Sequence, residues 1–508
     1  MPRSRLWLLL AIPLLVCIGN ARLSAADKPN ILFIAIDDLR DWVHYLGYQQ
    51  VKTPNLDKLS ARGMTFARGY CASPVCNPSR AALMSGMRSS TTGVYSNGID
   101  WRPLITDKTL TLPQHLRANG YYACGSGKIY HESFRRPTDW DDYLGSQRGA
   151  AAAAAEEGEA PAAKAKGQGK GKAKAKAEAA AAAAAGERDP NGVGGIRFKP
   201  LPNTPDEEMV DYHSVTYALK QLNTKHDKPL FLACGLHKPH MPWDVPQKYY
   251  DMYPLDKIEL PPVLKDDLSD IPSAGVRMAK PQGDHAAMLA SGRWKEAVQG
   301  YLAAITFCDA MVGRLIDGFD KSPNKDNTII ILWSDHGWHL GEKEHWRKFA
   351  LWEESTRAPF LMIVPGVTKP GSVCERPVDY MNIYPTICDL TGVPQPKHLE
   401  GFSMKPLLVN PAAPWDHPAI TTHGYQNHAV RTDKWRYIRY EDGGEELYDE
   451  VADPHEWKNL ASDPKFAAIK QDLAKHLPKT NVPTPTGEGG GGGGKAKAAK
   501  AAAKLKAK

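Results

Sequence analysis

Long apolar runs are scarce in this 508-residue chain, and so are cysteines. The one run near the amino terminus, Leu6 to Ile18, is too short for a comfortable membrane crossing, and no later segment qualifies, so no stable membrane span is expected. Among the eight cysteines there is no Cys-x-x-Cys pair and no dense framework, which speaks against zinc and against a disulfide scaffold. Aromatic residues are missing altogether from residues 149–186, a stretch of Ala, Lys, Glu and Gly. Such a composition offers nothing to bury and predicts a solvated low-complexity insertion. An evenly spread positive charge is also lacking. The formal charge is +7, but three arginines lie in the first 26 residues, residues 151–186 carry six lysines against four glutamates, and six more lysines follow Gly489. Without these segments the body of the chain is slightly negative, so nucleic acid is not an expected partner.

What is present begins with a targeting segment. Arg3 and Arg5 precede the apolar run, and Leu23-Ser24-Ala25 supplies small residues for cleavage, so residues 1–26 read as a secretory signal. Export to a periplasm or the exterior is expected, and it permits one or two disulfides. Short continuous apolar runs at residues 30–36, 121–124, 229–234, 328–333 and 359–364 read as strands buried on both faces. Helical patterns at residues 207–222 and 296–319 fall between them. This alternation predicts an α/β domain over residues 27–410 with a mostly parallel sheet flanked by helices. Short antiparallel strands and a helix predict a small C-terminal subdomain over residues 411–480, and residues 481–508 form a Gly and Ala/Lys tail expected to be disordered.

Four of the strands end in polar residues: Asp37-Asp38, Lys128 with His131, His237, and Asp335-His336. Open α/β sheets bind ligands at the carboxyl ends of their strands, so these residues are expected to share one crevice. Carboxylates from two strands suit a hard divalent cation, and Ca²⁺ tolerates irregular oxygen geometry. Imidazole is a poor ligand for such an ion, so His336 either ligates weakly or hydrogen-bonds the bound anion.

Another stretch concentrates chemistry. In Cys76-Asn77-Pro78-Ser79-Arg80 a cysteine precedes residues that favour a helix start, and Leu83 and Met84 continue an apolar face. Cys76 is expected just before the first turn, where orphan N–H groups favour negative charge, and Arg80 adds a cationic fork suited to tetrahedral oxyanions.

The pattern Cys-x-Pro-Ser-Arg-x-x-Leu-Met-Ser-Gly over residues 76–86 resembles the signature of the type I, formylglycine-dependent sulfatases. Asp37-Asp38-Leu39-Arg40, Lys128-x-x-His131, His237-Lys238-Pro239-His240, Asp335-His336-Gly337-Trp338 and Lys348 resemble the family's further motifs in their usual order, and those of the iduronate sulfatase branch in particular. The resemblance implies an alkaline-phosphatase-like fold and hydrolysis of sulfate esters on sulfated sugars or polysaccharides. It implies that Cys76 is oxidised to formylglycine (3-oxoalanine) by a formylglycine-generating or anaerobic sulfatase-maturating enzyme. Asp37, Asp38, Asp335 and His336 would hold the metal together with residue 76. Arg80 and Lys128 would bind sulfate oxygens, His131 would take a proton from the nucleophile, and His237 and Lys348 would face the bridging ester oxygen. Phosphonate or phosphodiester hydrolysis on the same fold is the enzymatic alternative, and polyanion binding through the lysine-rich segments is the non-enzymatic one. The cations Lys128, His131, His237 and Lys348 exceed what one sulfate monoester needs, so a second anion such as a uronate carboxylate is expected, with Trp338 against the sugar ring.

Overall fold

The computed structural model describes residues 28–105, 109–145 and 191–485; the expected signal segment, the 149–186 insertion and the tail from Gly489 lie outside them. Eight strands form the central sheet: β1 (Asn30–Asp37), β2 (Met64–Phe66), β3 (Tyr122–Gly127), β4 (Asp142–Gly145), β5 (Leu230–Pro239), β6 (Thr328–Ser334), β7 (Phe360–Ile363) and β8 (Ser372–Cys374). Their order across the sheet is β8-β2-β7-β6-β1-β5-β3-β4. From β6 to β4 every pairing is parallel; β7 runs antiparallel to both β6 and β2.

Both faces of β1 are buried, and alternate residues serve different layers. Leu32, Ile34 and Ile36 join one core with helices α3 (Val210–Leu222) and α4 (Trp294–Phe319). Ile31, Phe33 and Ala35 join the other with Leu83 and Met84 of α2 (Cys76–Ser85), while α1 (Pro54–Ser60) adds Leu56 and Leu59 to the first. A fully buried aliphatic or aromatic side chain contributes roughly 1.5–3 kcal/mol, so a strand buried on both faces is anchored at every residue. That anchoring gives the loops at its end a rigid base.

The strand ends coincide. Ile36 pairs with Ser334 on one side and Leu236 on the other, and Gly127 pairs with Gly235. Between Ile36 and Asp37 the register with β5 shifts, so that Asp37 faces Pro239. Such a bulge re-aims the side chain that follows. Close approach of β3 and β5 needs glycine: Gly127 has φ +71 and no room for a Cβ beside the Gly235 carbonyl.

A second sheet of four antiparallel strands, β9 (Ala419–Thr422), β10 (His428–Arg431), β11 (Trp435–Arg439) and β12 (Glu445–Asp449), builds the C-terminal subdomain with α5 (Ala467–Ala474). Arg436 attaches it to the main domain. Its guanidinium reaches the Leu351 carbonyl at 3.0 Å and Glu450 at 3.0 Å, and also pairs with Glu353 and Glu456. The chain stays against the body past residue 480, since the Val482 N–H bonds the Ser90 carbonyl at 2.7 Å. All seven cysteines among the described residues are buried and free.

Candidate active site

At the carboxyl edge of β1, Asp37 and Asp38 turn in different directions. Asp38 takes a left-handed conformation, φ +62, a strain of roughly 1–3 kcal/mol that persists where the surroundings impose it. Three bonds impose it. The Asp38 N–H donates to Asp335 Oδ1 at 3.0 Å, the Tyr301 hydroxyl of α4 donates to its carbonyl at 2.7 Å, and Ser334 Oγ receives the Leu39 N–H at 3.0 Å.

Helix α2 enters from the opposite face and is buried along its whole length. It begins at Cys76 itself, with Val75 as the cap, so Cys76 is the first helical residue instead of preceding the first turn. The helix extends back because Asn77 is gripped: its N–H donates to Asn97 Oδ1 at 2.9 Å and its amide to the Ile99 carbonyl at 2.8 Å. Ser79 Oγ donates to the Asp335 carbonyl at 2.7 Å, locking helix to strand end.

Arg80 is the hub. Its Nε bonds Asp335 Oδ2 at 2.8 Å and its Nη2 bonds Asp37 Oδ1 at 3.2 Å, while Nη1 bonds the Lys128 and Ile129 carbonyls. Lys128 Nζ completes the Asp37 carboxylate at 2.6 Å. Lys348 Nζ lies 2.9 Å from Asp38 Oδ1 and 2.9 Å from Cys76 Sγ, and His336 Nε2 lies 3.3 Å from each of those two atoms. Ligand atoms of Asp38, Cys76, Asp335 and His336 fall within 4.8 Å of one another, as do those of Asp37, Asp38, Cys76 and His240.

Burial tends to lift every carboxyl here, and the cations decide the outcome. Asp37 is lifted by burial but drawn well below the usual carboxylate range by Lys128, His240 and Arg80. Asp38 stays raised, because burial and the neighbouring Asp37 and Asp335 outweigh Lys348 and His336. Burial also pushes the Cys76 thiol far up, against Lys128 and Lys348. An unmodified Cys76 is therefore a thiol and a poor nucleophile.

The sequence-derived residues mostly converge. Asp37, Asp38, Cys76, Arg80, Lys128, Asp335, His336 and Lys348 share one bonded network. His131 is buried four residues beyond β3, and His237 has its own partners: its Nε2 is 3.4 Å from Glu132, the residue after His131, and Asp211 of α3 holds the His237 N–H at 2.7 Å. Trp338 does not face a sugar. It is 1% exposed, edge-on to Trp243 in the core with ring centroids 6.0 Å apart. Three further contributors carry no role in the sequence reading. His240, whose Nε2 is 3.8 Å from Asp38 Oδ2, was visible in the His-x-x-His spacing, whereas Asp211 and Tyr301 sit in helices with no local signal. A further acidic cluster, Glu353, Glu450 and Glu456, is filled by Arg436 and Arg431.

Gathered around Cys76, the carboxylates of Asp37, Asp38 and Asp335 make an oxygen-rich donor set, which fits a divalent cation of the hard class. Arg80, Lys128 and Lys348 already match the three carboxylates in charge. An added divalent cation therefore leaves a net positive cradle for an anion.

Comparison with known proteins agrees with this geometry. The family profile described as Sulfatase matches residues 29–393, and one described as N-sulphoglucosamine sulphohydrolase, C-terminal, matches residues 341–482. A sulfatase of Formosa agariphila is 37% identical, covering 94% of this chain and 92% of its own length. Iduronate 2-sulfatase of Mus musculus is 28% identical over 73% of this chain and 70% of its own. Among solved structures, the phosphonate monoester hydrolase of Agrobacterium radiobacter shares the fold with a TM-score of 0.69, at 21% identity and covering 89% of this chain and 95% of that one.

Proposed function

Since this chain belongs to the sulfatase family, we propose that it removes sulfate from sulfated uronate-containing sugars or polysaccharides, with Cys76 converted to formylglycine and Ca²⁺ as its metal. The observation that carries this reading is the meeting of Cys76 with Asp37, Asp38, Asp335 and His336 inside a ring of three cations. Members of the family use a formylglycine and a divalent cation; the first supplies a hydrated aldehyde as nucleophile, and the second lowers the pKa of a hydroxyl it binds.

The chain's own residues supply the rest. Asp37, Asp38 and Asp335 would hold the metal, joined by His336. Arg80 and Lys128 are fixed by Asp37 and by backbone carbonyls, so they meet charge developing on sulfate oxygens without reorganising. His131 would accept a proton from the nucleophile. His237 and Lys348 serve the bridging ester oxygen, one of them delivering the proton that spares expulsion of an alkoxide. The signal-like amino terminus supports export to a periplasm or the exterior, and a formylglycine-generating or anaerobic sulfatase-maturating enzyme is the partner this reading requires.

Iduronate 2-sulfatase among the relatives, and cations in excess of one sulfate, support a uronate. A carboxylate meeting one or two charge-assisted hydrogen bonds gains roughly 1.5–3 kcal/mol from each, or about tenfold or more in kcat/KM. The test is a paired assay of a sulfated uronate and a neutral sulfated hexose with sulfate at the same ring position. Preference for the uronate is expected; equal kcat/KM would remove the uronate and leave a sulfatase of other sugars.

A further inference from the structure

We propose that His345 is the positioning residue that sets the Lys348 ammonium against the reacting centre. Lys348 follows the two-residue strand Trp346–Arg347 and lies on no regular element of its own. Its neighbours on both sides are left-handed, Arg347 at φ +77 and Phe349 at φ +76, and so are Lys343 at φ +54 and Glu344 at φ +47. Non-glycine residues hold such angles only where surrounding contacts over-determine the backbone. Where those contacts fail, the chain relaxes and the ammonium moves with it.

Two ties straddle Lys348. On the far side, the Phe349 N–H donates to the Pro74 carbonyl at 3.2 Å, in the segment leading to Cys76. On the near side stands His345. Its Nε2 is 2.7 Å from the carbonyl oxygen of Lys348 itself, and its Nδ1 is 2.7 Å from the carbonyl oxygen of Ala279, at the end of the helix Ser273–Ala279. A neutral ring donates through one nitrogen and an imidazolium through both. The buried ring is neutral and donates once, so the tie to Lys348 is made by the tautomer that carries its proton on Nε2, with Nδ1 packed against the Ala279 carbonyl. It is 3% exposed, with the His339 ring 4.9 Å away and the Trp352 ring 6.5 Å away, so it has little freedom to swing. Lys343 anchors the front of the same stretch, donating to Asp267 at 2.8 Å and to the Glu456 carbonyl of the C-terminal subdomain. The outcome is an ammonium held 2.9 Å from both Asp38 Oδ1 and Cys76 Sγ.

The inference rests on the reading that Lys348 serves the ester's leaving oxygen, and leaving-group dependence separates the two. Full-length, formylglycine-bearing, metal-loaded enzyme is assayed on para-nitrophenyl sulfate, whose phenolate leaves without help, and on a sugar sulfate, whose alkoxide needs a proton. His345→Leu is expected to lower kcat on the sugar sulfate about a hundredfold and on the nitrophenyl ester less than about fivefold, with KM little changed. His345→Gln keeps one amide donor and is expected to recover most of the sugar sulfate rate. Lys348→Ala should show the same split. If Lys348→Ala is split but the His345 variants lose both substrates equally, or lose neither, the positioning role is overturned. If Lys348→Ala itself lowers both equally, the reading of Lys348 fails and the inference falls with it. Where His345→Leu does not fold, His345→Gln carries the test: a small loss confined to the sugar sulfate supports the role, and an unsplit loss or none overturns it.

Discussion

Substituting Gly235 by alanine asks whether Lys128 is placed by backbone contact. Gly235 lies in β5 directly beneath the turn that presents Lys128, and a Cβ there would stand 2.5 Å from the Lys128 nitrogen and closer still to its carbonyl. Ordinary contact begins at 3.4 Å, so the Lys128 backbone must withdraw by about 1 Å, and both partners are main chain with no rotamer to give way. Lys128 Nζ then leaves its 2.6 Å contact with Asp37, and the Lys128 carbonyl leaves Arg80. A displacement of about 1 Å among catalytic groups costs on the order of a hundredfold in rate. Overpacking adds roughly 1–3 kcal/mol of destabilisation, which a small core substitution elsewhere would also produce. The assay is kcat/KM on an aryl sulfate, measured well below the melting temperature of both proteins. A fall of about a hundredfold in folded Gly235→Ala is expected. Activity within twofold of the parent would refute the backbone placement of Lys128.

Chelation should abolish turnover, and Ca²⁺ should restore it to protein that carries Asp37, Asp38 and Asp335; undiminished turnover of metal-free enzyme would contradict the proposed centre. Acid should destabilise the fold below pH 6.5. Burial holds His339 and His345 down to about 3 and His423 and His428 to about 4, so the unfolded chain binds protons that the folded chain refuses. Stability present above pH 6.5 is then lost towards pH 4, by about 2 kcal/mol per ring at pH 5. Asp267 and Asp309, lifted by burial to about 6, work in the opposite sense and offset part of that loss. Unfolding curves should show lower stability at pH 5 than at pH 7, and equal or greater stability at pH 5 would be evidence against this balance.

The parallel core and its edge were legible because β1, β5 and β6 are buried on both faces and so read as unbroken apolar runs ending in polar residues. Cys76, Arg80, Asp335 and His336 could be named for the same reason: they follow directly on recognisable starts and ends of elements. What failed was whatever depends on contacts distant in sequence. Trp338 follows the Asp335-His336 pair and still turns into the core, because Trp243 offers it a ring edge there. The helix starts at Cys76 because Asn97, twenty residues on, receives the Asn77 N–H. The support of Asp38 by Tyr301, and of Lys348 by His345, has no local periodicity to announce it. Arg436 reads as an ordinary strand arginine until Glu353, Glu450 and Glu456 are seen around it.

Peptide mass spectrometry of residue 76 in active enzyme reaches the centre of this account most directly. Preparations that differ in maturation are compared for the fraction of residue 76 carrying an aldehyde and for sulfate release. Specific activity should rise in proportion to the aldehyde fraction, and Cys76→Ala should fold without turnover. Full activity in protein whose residue 76 is entirely the unmodified thiol would contradict the mechanism.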